Sequence, residues 1–388
     1  MTRRALRARD KRRAASSRTG SELDAATRHA REAQKSAGAA RAARVTPLKE
    51  PSRSLSEQFR PSRPSALRSP AIASFLRLPV HDDPAGIPDV DVLLTGVASD
   101  AGSTFRPGAR FGPRAVREAS VFSTPFSSAL GVNVFDEIAA ADGGDVSASS
   151  RTVEAVIEAV ALCARGAAAS GVIPGFVGGD RTLTLGALRG LMRSKHRALG
   201  LLAISAHPGA SAENGQEIHA GNVVRHAVEE GLVRPDCALQ LGLRGPYAGP
   251  DELSFAFARG IDTAGVDEVR WDLHAVVSQV RSLVQKGAVY VSVDIGALDP
   301  AYAPGTSLPV PGGMTTWDLQ QILRALVGAE VAGFDVVEIA PDYDPAGITA
   351  LASVSVLQEI LAALADTRRS GRPAPSTHRS GRAGRRSA

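Results

Sequence analysis

Short apolar segments rich in β-branched residues alternate with segments of helical periodicity along the middle of this chain. The apolar segments lie at 90–97, 172–177, 199–204, 238–243, 288–293 and 331–339. The helical segments lie at 152–168, 184–195, 220–231, 272–286, 316–327 and 348–365. Such alternation predicts βαβ units, which build a mainly parallel sheet covered by helices on both faces. We therefore expect an α/β protein with three layers, α/β/α.

Polar residues directly follow four of the predicted strands. They occur at 178–181, 205–207, 294–300 and 341–344. In an open parallel sheet, the ligand site lies beyond the carboxyl ends of the strands. The sequence thus predicts one functional site, built from four strand ends on the same edge of the sheet.

Positive charge is concentrated at the two ends of the chain. Residues 1–65 carry 17 Lys and Arg against 6 acids, and 367–388 carry seven Arg and no acid, although the 388-residue chain is only +5 overall. The intervening residues are thus net acidic. Neither tail has a sustained apolar face, which predicts disorder for both. We expect a disordered basic tail at 1–65, one domain at 66–366 and a disordered Arg-rich tail at 367–388.

The composition favours a protein that stays inside the cell. Cys163 and Cys237 lie in apolar segments and lack the spacing of a metal or redox motif. No uninterrupted apolar stretch approaches the length of about eighteen residues that a membrane span requires. The arginine-rich N-terminus lacks the apolar segment of a secretory signal, and a transit peptide is the alternative interpretation. We predict a cytoplasmic protein without membrane contact.

Several motifs occur in a fixed order along the domain. They are TGV with FRPGARFGPR (95–114), GGD (178–180), GLRGP (242–246), SVDIGALDPAYAPGTSLPVPGG (292–313) and FDVVE (334–338). Together they resemble the ureohydrolase (arginase/agmatinase) family, and its agmatinase-like members most closely. The resemblance runs from about residue 66 to 365. It implies the α/β/α fold of that family and a homo-oligomer, either a trimer or a hexamer.

The resemblance also implies where a metal centre would lie. Members of this family release urea from guanidino compounds with a hydroxide held between two Mn²⁺ ions, which are bound by two histidines and four aspartates. The six positions read Arg181, Ser205, His207, Gly209, Asp294 and Gly296 in this chain. Only His207 and Asp294 are retained, as remnant ligands. An arginine cation repels a metal ion, and glycine has no side chain to bind one.

Loss of carboxylates and gain of Arg181 would keep this site neutral without metal. The charges of four aspartates and two Mn²⁺ ions sum to zero. The charges of Asp294 and Arg181 also sum to zero, without any metal. Because a buried unpaired charge is strongly unfavourable, this combination indicates a metal-free site. We predict a direct ion pair between Arg181 and Asp294, with Ser205 and His207 as neutral hydrogen-bonding neighbours.

Two further positions correspond to functional residues of the family. His219 aligns with a histidine that acts as acid or base or contacts substrate, and Asp318 falls where we expect a glutamate that contacts the guanidinium. Both would be catalytic only in an active enzyme. The other polar residues have a structural interpretation: Asp299 braces its loop, and turns form at Asp342, Asp344, 143–145 and 312–313.

Three functions are compatible with these residues. The first, which we favour, is a non-hydrolytic pseudoenzyme without a cofactor, which binds a guanidino or amine compound or an active paralogous subunit. The second is an active agmatinase-type amidinohydrolase, which would require manganese. The third is a module that binds a polyanion through the Arg-rich tails, although the acidic domain between them argues against nucleic acid.

Overall fold

A computed structural model of the chain describes residues 73–81, 89–148, 151–195, 197–212, 217–247 and 249–371. The tail predicted at 1–65, and that at 367–388 apart from its first five residues, lie outside this part of the chain. Their predicted disorder therefore stays a prediction.

Ten strands occur in the described residues. In chain order they are β1 Val92–Gly96, β2 Phe126–Ser127, β3 Val132–Asn133, β4 Ala140–Asp145, β5 Ile173–Val177, β6 Leu199–Ile204, β7 Val233–Leu243, β8 Asp262–Gly265, β9 Val289–Asp294 and β10 Val331–Val337. Eight of them form one sheet in the order β4-β1-β5-β10-β9-β6-β7-β8, and β2 pairs with β3 in an antiparallel hairpin. Every neighbouring pair in the large sheet is parallel, as the alternation of segments predicts.

Ten α-helices connect and flank these strands in the same part of the chain. They are α1 Gly112–Ala119, α2 Val134–Glu137, α3 Val153–Ala169, α4 Thr182–Lys195, α5 Val223–Glu229, α6 Asp251–Arg259, α7 Val266–Trp271, α8 Leu273–Gln285, α9 Thr316–Arg324 and α10 Ile348–Arg369. All six predicted helices are present. The predicted three-layer α/β/α architecture is confirmed.

Alternate residues of the central strands face two separate hydrophobic clusters. Val291 belongs to the cluster that contains residues of α8, α9 and α10. Its neighbour Tyr290 belongs to the cluster that contains residues of α3, α4 and α5. Side chains alternate between the faces of a strand, so the sheet is buried on both sides.

Helix α10 is a core helix of the domain. Its length and apolar composition would suffice to cross a membrane, and it is the one such helix among the described residues. In the fold, however, 72% of its most apolar window is buried inside the protein.

Two strands of the large sheet escaped the sequence prediction. They are β8 and β4. Because β4 contains Gly143 and Gly144, the prediction of a turn at 143–145 is wrong. Glycine is unfavourable in strands, and β4 also lacks β-branched residues. The edge strand is instead fixed by Asp142, whose Oδ2 lies 2.8 Å from Nε of Arg117 on α1.

The domain continues past the predicted boundary at residue 366, since α10 ends at Arg369. Thr367 is buried, and its Oγ1 accepts a 2.7 Å hydrogen bond from the backbone N–H of Gly328. Arg368 forms an ion pair with Asp91 at 2.5 Å. These contacts make 367–369 part of the folded domain.

Candidate functional site

Four neighbouring strands, in the order β5-β10-β9-β6, bring the candidate site together at their carboxyl ends. Arg181 lies just after β5, Glu338 after β10 and Ser205 after β6, while Asp294 is the last residue of β9. The four residues are no more than 5% exposed. Three of the predicted strand ends thus contribute to one buried cluster, to which the end of β10 contributes Glu338 and not the predicted residues 341–344.

A glycine turn carries the chain from β5 to Arg181. Gly178 and Gly179 have φ values of 79° and 76°, and a Cβ at Gly178 would lie 2.4 Å from the ring of Pro113. Asp180 then accepts hydrogen bonds from the backbone N–H groups of Gly102 (2.9 Å) and Thr182 (2.8 Å). This turn fixes the start of α4, and with it the direction of the Arg181 side chain.

The Arg181 guanidinium points into the cluster. Its Nη1 donates to Oγ of Ser205 at 3.1 Å and to the carbonyl oxygen of His207 at 3.2 Å. The Ser205 hydroxyl in turn donates to Oδ2 of Asp294 at 2.8 Å. The predicted direct ion pair between Arg181 and Asp294, both described residues, is therefore wrong. The cation and the carboxylate are connected through one hydroxyl.

The local backbone explains why Asp294 does not turn towards Arg181. Its Oδ1 accepts a 2.8 Å hydrogen bond from the N–H of Gly296, which caps the 3₁₀ turn Ile295–Ala297. Its Oδ2 is occupied by Ser205. Aspartate is a favoured residue at such caps, and this preference could have been used in the sequence analysis.

Glu338 is a member of the cluster that sequence reasoning missed. It lies just after β10 at a φ of 65°, and its Oε1 accepts a 2.9 Å hydrogen bond from the Arg181 N–H. Burial, together with the nearby charges of Asp294 and Asp180, raises the pKa of Glu338 to about 8. At neutral pH this carboxyl is mainly protonated. Glu338 is the last residue of the FDVVE motif at 334–338, which was the available signal.

His207 is the second remnant ligand position. Burial lowers its pKa, and the Arg181 and Arg244 cations act in the same direction against the opposing charge of Asp294. Its Nε2 is buried without a hydrogen-bond partner among the described residues. The imidazole is therefore neutral at physiological pH and has one ring nitrogen free.

Few of the six positions that correspond to metal ligands carry a side chain that could bind a metal ion. Across the described ranges, no group of three His, Cys, Asp or Glu side chains could hold a metal ion. A Cβ at Gly209 would lie 3.1 Å from Nη2 of Arg181, so the guanidinium adjoins the space for a carboxylate there. A Cβ at Gly296 would lie 3.0 Å from Oδ1 of Asp294 and 3.1 Å from Oγ1 of Thr306. Both glycine positions thus lie close to polar side-chain atoms.

The hydrogen bonds that the structure shows for His219 and Asp318 involve no residue of this cluster. The N–H of Gly221 donates to Nδ1 of His219 at 3.2 Å, which orients the ring within its own loop. Oδ2 of Asp318 accepts hydrogen bonds from Thr315 N and Oγ1 at 2.9 and 2.8 Å, forming a capping box at the start of α9. Asp318 therefore has a helix-capping function, and a catalytic role for either residue stays a prediction.

Arg244, which follows β7, braces the loop after Asp294. Its guanidinium donates to a set of backbone carbonyls, those of Gly242, Gly296, Ala297, Leu298 and Val310, at 2.7–3.3 Å. Asp299 braces the same region by accepting from the N–H groups of Ala301, Gly312 and Gly313. Such a fork of donors holds this loop in position beside the cluster.

Comparison with known proteins identifies the family. The sequence pattern of the Arginase family matches residues 90–363. This chain belongs to the arginase family. The match covers all four strand ends of the site and 274 of the 388 residues, counted inclusively from 90 to 363.

The relatives of this arginase-family chain are agmatinase-like ureohydrolases. Guanidinobutyrase from Pseudomonas aeruginosa is 35% identical over 296 residues, which is 76% of this chain and 92% of that protein. Mitochondrial agmatinase from Gallus gallus is 34% identical, over 78% of this chain and 89% of its own length. The structure of proclavaminate amidino hydrolase from Streptomyces clavuligerus superposes with a TM-score of 0.71 at 33% identity, over 76% and 98% of the two chains.

Proposed function

We propose that this chain is a non-hydrolytic member of the arginase family, which binds a guanidino or amine compound at its strand ends without manganese. The observation that carries the proposal is the position of Arg181. Its guanidinium donates to Ser205 and to the His207 carbonyl, and lies against Gly209. These are three of the positions from which family members bind their metal ions.

The charges around the cluster support the same proposal. Near pH 7 the cluster holds one cation, Arg181, and one carboxylate, Asp294, because Glu338 is mainly protonated and His207 is neutral. A divalent ion entering this space would be repelled by the guanidinium and would find a single charged oxygen ligand. Manganese prefers several hard oxygen ligands, so a stable dinuclear centre is not expected.

The relatives named guanidinobutyrase and agmatinase direct the proposal to guanidino compounds. A guanidinium is a planar cation whose N–H groups bind carboxylates in pairs. Asp294 and Glu338 are the two carboxyl groups of the cluster, and both already accept hydrogen bonds from the chain, so a bound guanidinium would have to share or replace these bonds. Because a bound cation favours the ionised form of Glu338, ligand binding near pH 7 should release a proton from that group.

Titration calorimetry of the full chain with 4-guanidinobutyrate and with agmatine tests this proposal. With excess EDTA present, we expect saturable binding of at least one compound, proton release that is lost in Glu338→Gln, and no urea. Binding that appears only after Mn²⁺ is added, or that is followed by urea release, would contradict the proposal and favour an active amidinohydrolase.

A further inference from the structure

A cavity lies away from the strand ends, beside the hairpin of β2 and β3. It has a volume of about 250 Å³, is partly open to solvent, and is lined by the 123–129 segment, α2, α9, α10 and the 3₁₀ turn Phe75–Arg77. None of the residues of the Arg181 cluster lines it. Its apolar wall includes Leu76, Phe135 and Leu361, each at most 7% exposed.

Arg77 lines this cavity and is 8% exposed. Among the described residues its guanidinium makes one hydrogen bond, from Nη2 to the carbonyl oxygen of Ser123 at 2.5 Å, and no ion pair. In the part of the chain that the structure describes, its Nε is buried without a hydrogen-bond partner. A buried guanidinium with an unsatisfied donor is unfavourable unless a further acceptor occupies the cavity.

The backbone is bent so that Arg77 reaches this position. Leu76 and Arg77 adopt φ values of 53° and 59°, a conformation that side chains other than glycine rarely adopt. The turn is held by hydrogen bonds from the N–H of Leu76 to Oγ of Ser120 and from the N–H of Phe75 to Asp142, both at 2.9 Å. Two successive residues of this kind at one buried cation mark a candidate functional position.

The other charges on the cavity wall leave Arg77 uncompensated. Arg324 donates from Nε and Nη2 to both carboxylate oxygens of Glu359, at 2.8 and 2.5 Å, and this pair is neutral as a unit. Within the described part of the chain, no carboxylate pairs with Arg77, and burial lowers the pKa of its guanidinium. The cavity therefore carries one net positive charge, beside hydroxyl groups of Ser123 and Ser355.

We propose that this cavity binds a small organic carboxylate, with its carboxylate on the free face of Arg77 and its carbon body against the apolar wall. A planar guanidinium bonds a carboxylate through two parallel N–H groups, which would satisfy the orphaned Nε. A space of about 250 Å³ holds a ligand of roughly eight heavy atoms, taking about 30 Å³ for each water-sized group. An inorganic anion would satisfy Arg77 but leave the apolar wall uncovered.

The test is a titration of the full-length chain with hexanoate, hexan-1-ol, hexylammonium and inorganic phosphate. We expect saturable hexanoate binding, with hexanol weaker by about tenfold or more, because charge-assisted hydrogen bonds supply the difference. Hexylammonium should leave the amide resonances of Leu76 and Arg77 unshifted, whatever it does at the strand ends. Phosphate should bind more weakly than hexanoate. Arg77→Gln should lower hexanoate affinity by about tenfold or more, whereas the control Arg193→Gln, in an exposed ion pair with Glu158, should leave it unchanged.

Several results would overturn the proposal. They are an absence of saturable hexanoate binding, equal affinity for hexanol, tighter binding of phosphate, and an unchanged affinity in Arg77→Gln. If Arg77→Gln does not fold, the relative affinities of the four compounds for the unchanged chain still test whether the cavity prefers an organic carboxylate. Amide resonances of Leu76 and Arg77 should then shift on hexanoate addition, and shifts confined to the Arg181 cluster would contradict the assignment.

Discussion

Replacing four residues together, Arg181→His, Ser205→Asp, Gly209→Asp and Gly296→Asp, should create manganese binding in a chain that we propose binds none. The variant regains all six ligand types of the family and loses the repelling cation. Without metal it concentrates carboxylates in a buried cluster, so it should be less stable than the unchanged chain. Added Mn²⁺ should raise its Tm, by an amount equivalent to about 2.7 kcal/mol at a hundred times the Kd.

The structure also shows what limits this conversion. A Cβ at Gly296 would approach Asp294 and Thr306 within 3.1 Å, so these neighbours must move by a few tenths of an ångström. Gly209 has a φ of 65°, which aspartate tolerates better than most residues. Removal of the Arg181 guanidinium frees the space beside position 209. Some loss of metal-free stability, of about 1–3 kcal/mol, is therefore expected from crowding alone.

Arg181→His alone is the matched control for the fourfold variant. This variant has three of the six ligands. Asp294 keeps its hydrogen bond from Ser205, but Ser205 no longer accepts one from the Arg181 cation. We expect neither a Mn²⁺-dependent rise in Tm nor urea release from this single variant. If the single variant turns over agmatine with manganese, the site is closer to an active centre than the proposed function allows.

Glu338→Gln should make the protein markedly more stable at pH 8 than the unchanged chain, with a much smaller difference at pH 5. The raised pKa of Glu338, about 8, means that the folded state keeps a proton that the unfolded state loses near pH 4.5. Stability therefore falls as pH rises between these values and levels off above pH 8. Avoiding that loss should stabilise the variant by roughly 3–5 kcal/mol at pH 8.

Denaturant unfolding at several pH values measures this effect. The amide of glutamine can still accept the hydrogen bond from the Arg181 N–H, so the variant tests ionisation more than packing. Glu154→Gln, an exposed residue in the first turn of α3, is the control and should give a difference that does not change with pH. A pH-independent difference for Glu338→Gln would show that its carboxyl is not held neutral by burial.

The sequence was most informative where hydrophobic periodicity was strong. The central strands β5, β6, β9 and β10 and their helices could be predicted because each is a continuous apolar or amphipathic segment. The edge strand β4 could not, since Gly143 and Gly144 are poor strand residues and its position depends on a tertiary contact, between Asp142 and Arg117. Local propensity carries no information on such a contact.

The candidate site was predicted at the level of its strand ends, but its hydrogen bonds were not. Motif positions were sufficient to bring Arg181, Ser205 and Asp294 together. They could not show that the Ser205 hydroxyl lies between the two charges, because that depends on side-chain directions and on the cap that Asp294 makes with Gly296. The Thr315 capping box gives the Asp318 carboxylate a structural function that the motif positions did not predict, and its catalytic role stays a prediction.

Manganese analysis of the full chain, purified from cells grown with excess Mn²⁺, together with a urea-release assay on agmatine, tests the proposed loss of the metal centre most directly. The position of Arg181 predicts no stoichiometric manganese and no urea above the uncatalysed rate, with or without added Mn²⁺. Two manganese ions per chain, with urea release that stops on addition of EDTA, would contradict the proposal and assign this chain to the active amidinohydrolases.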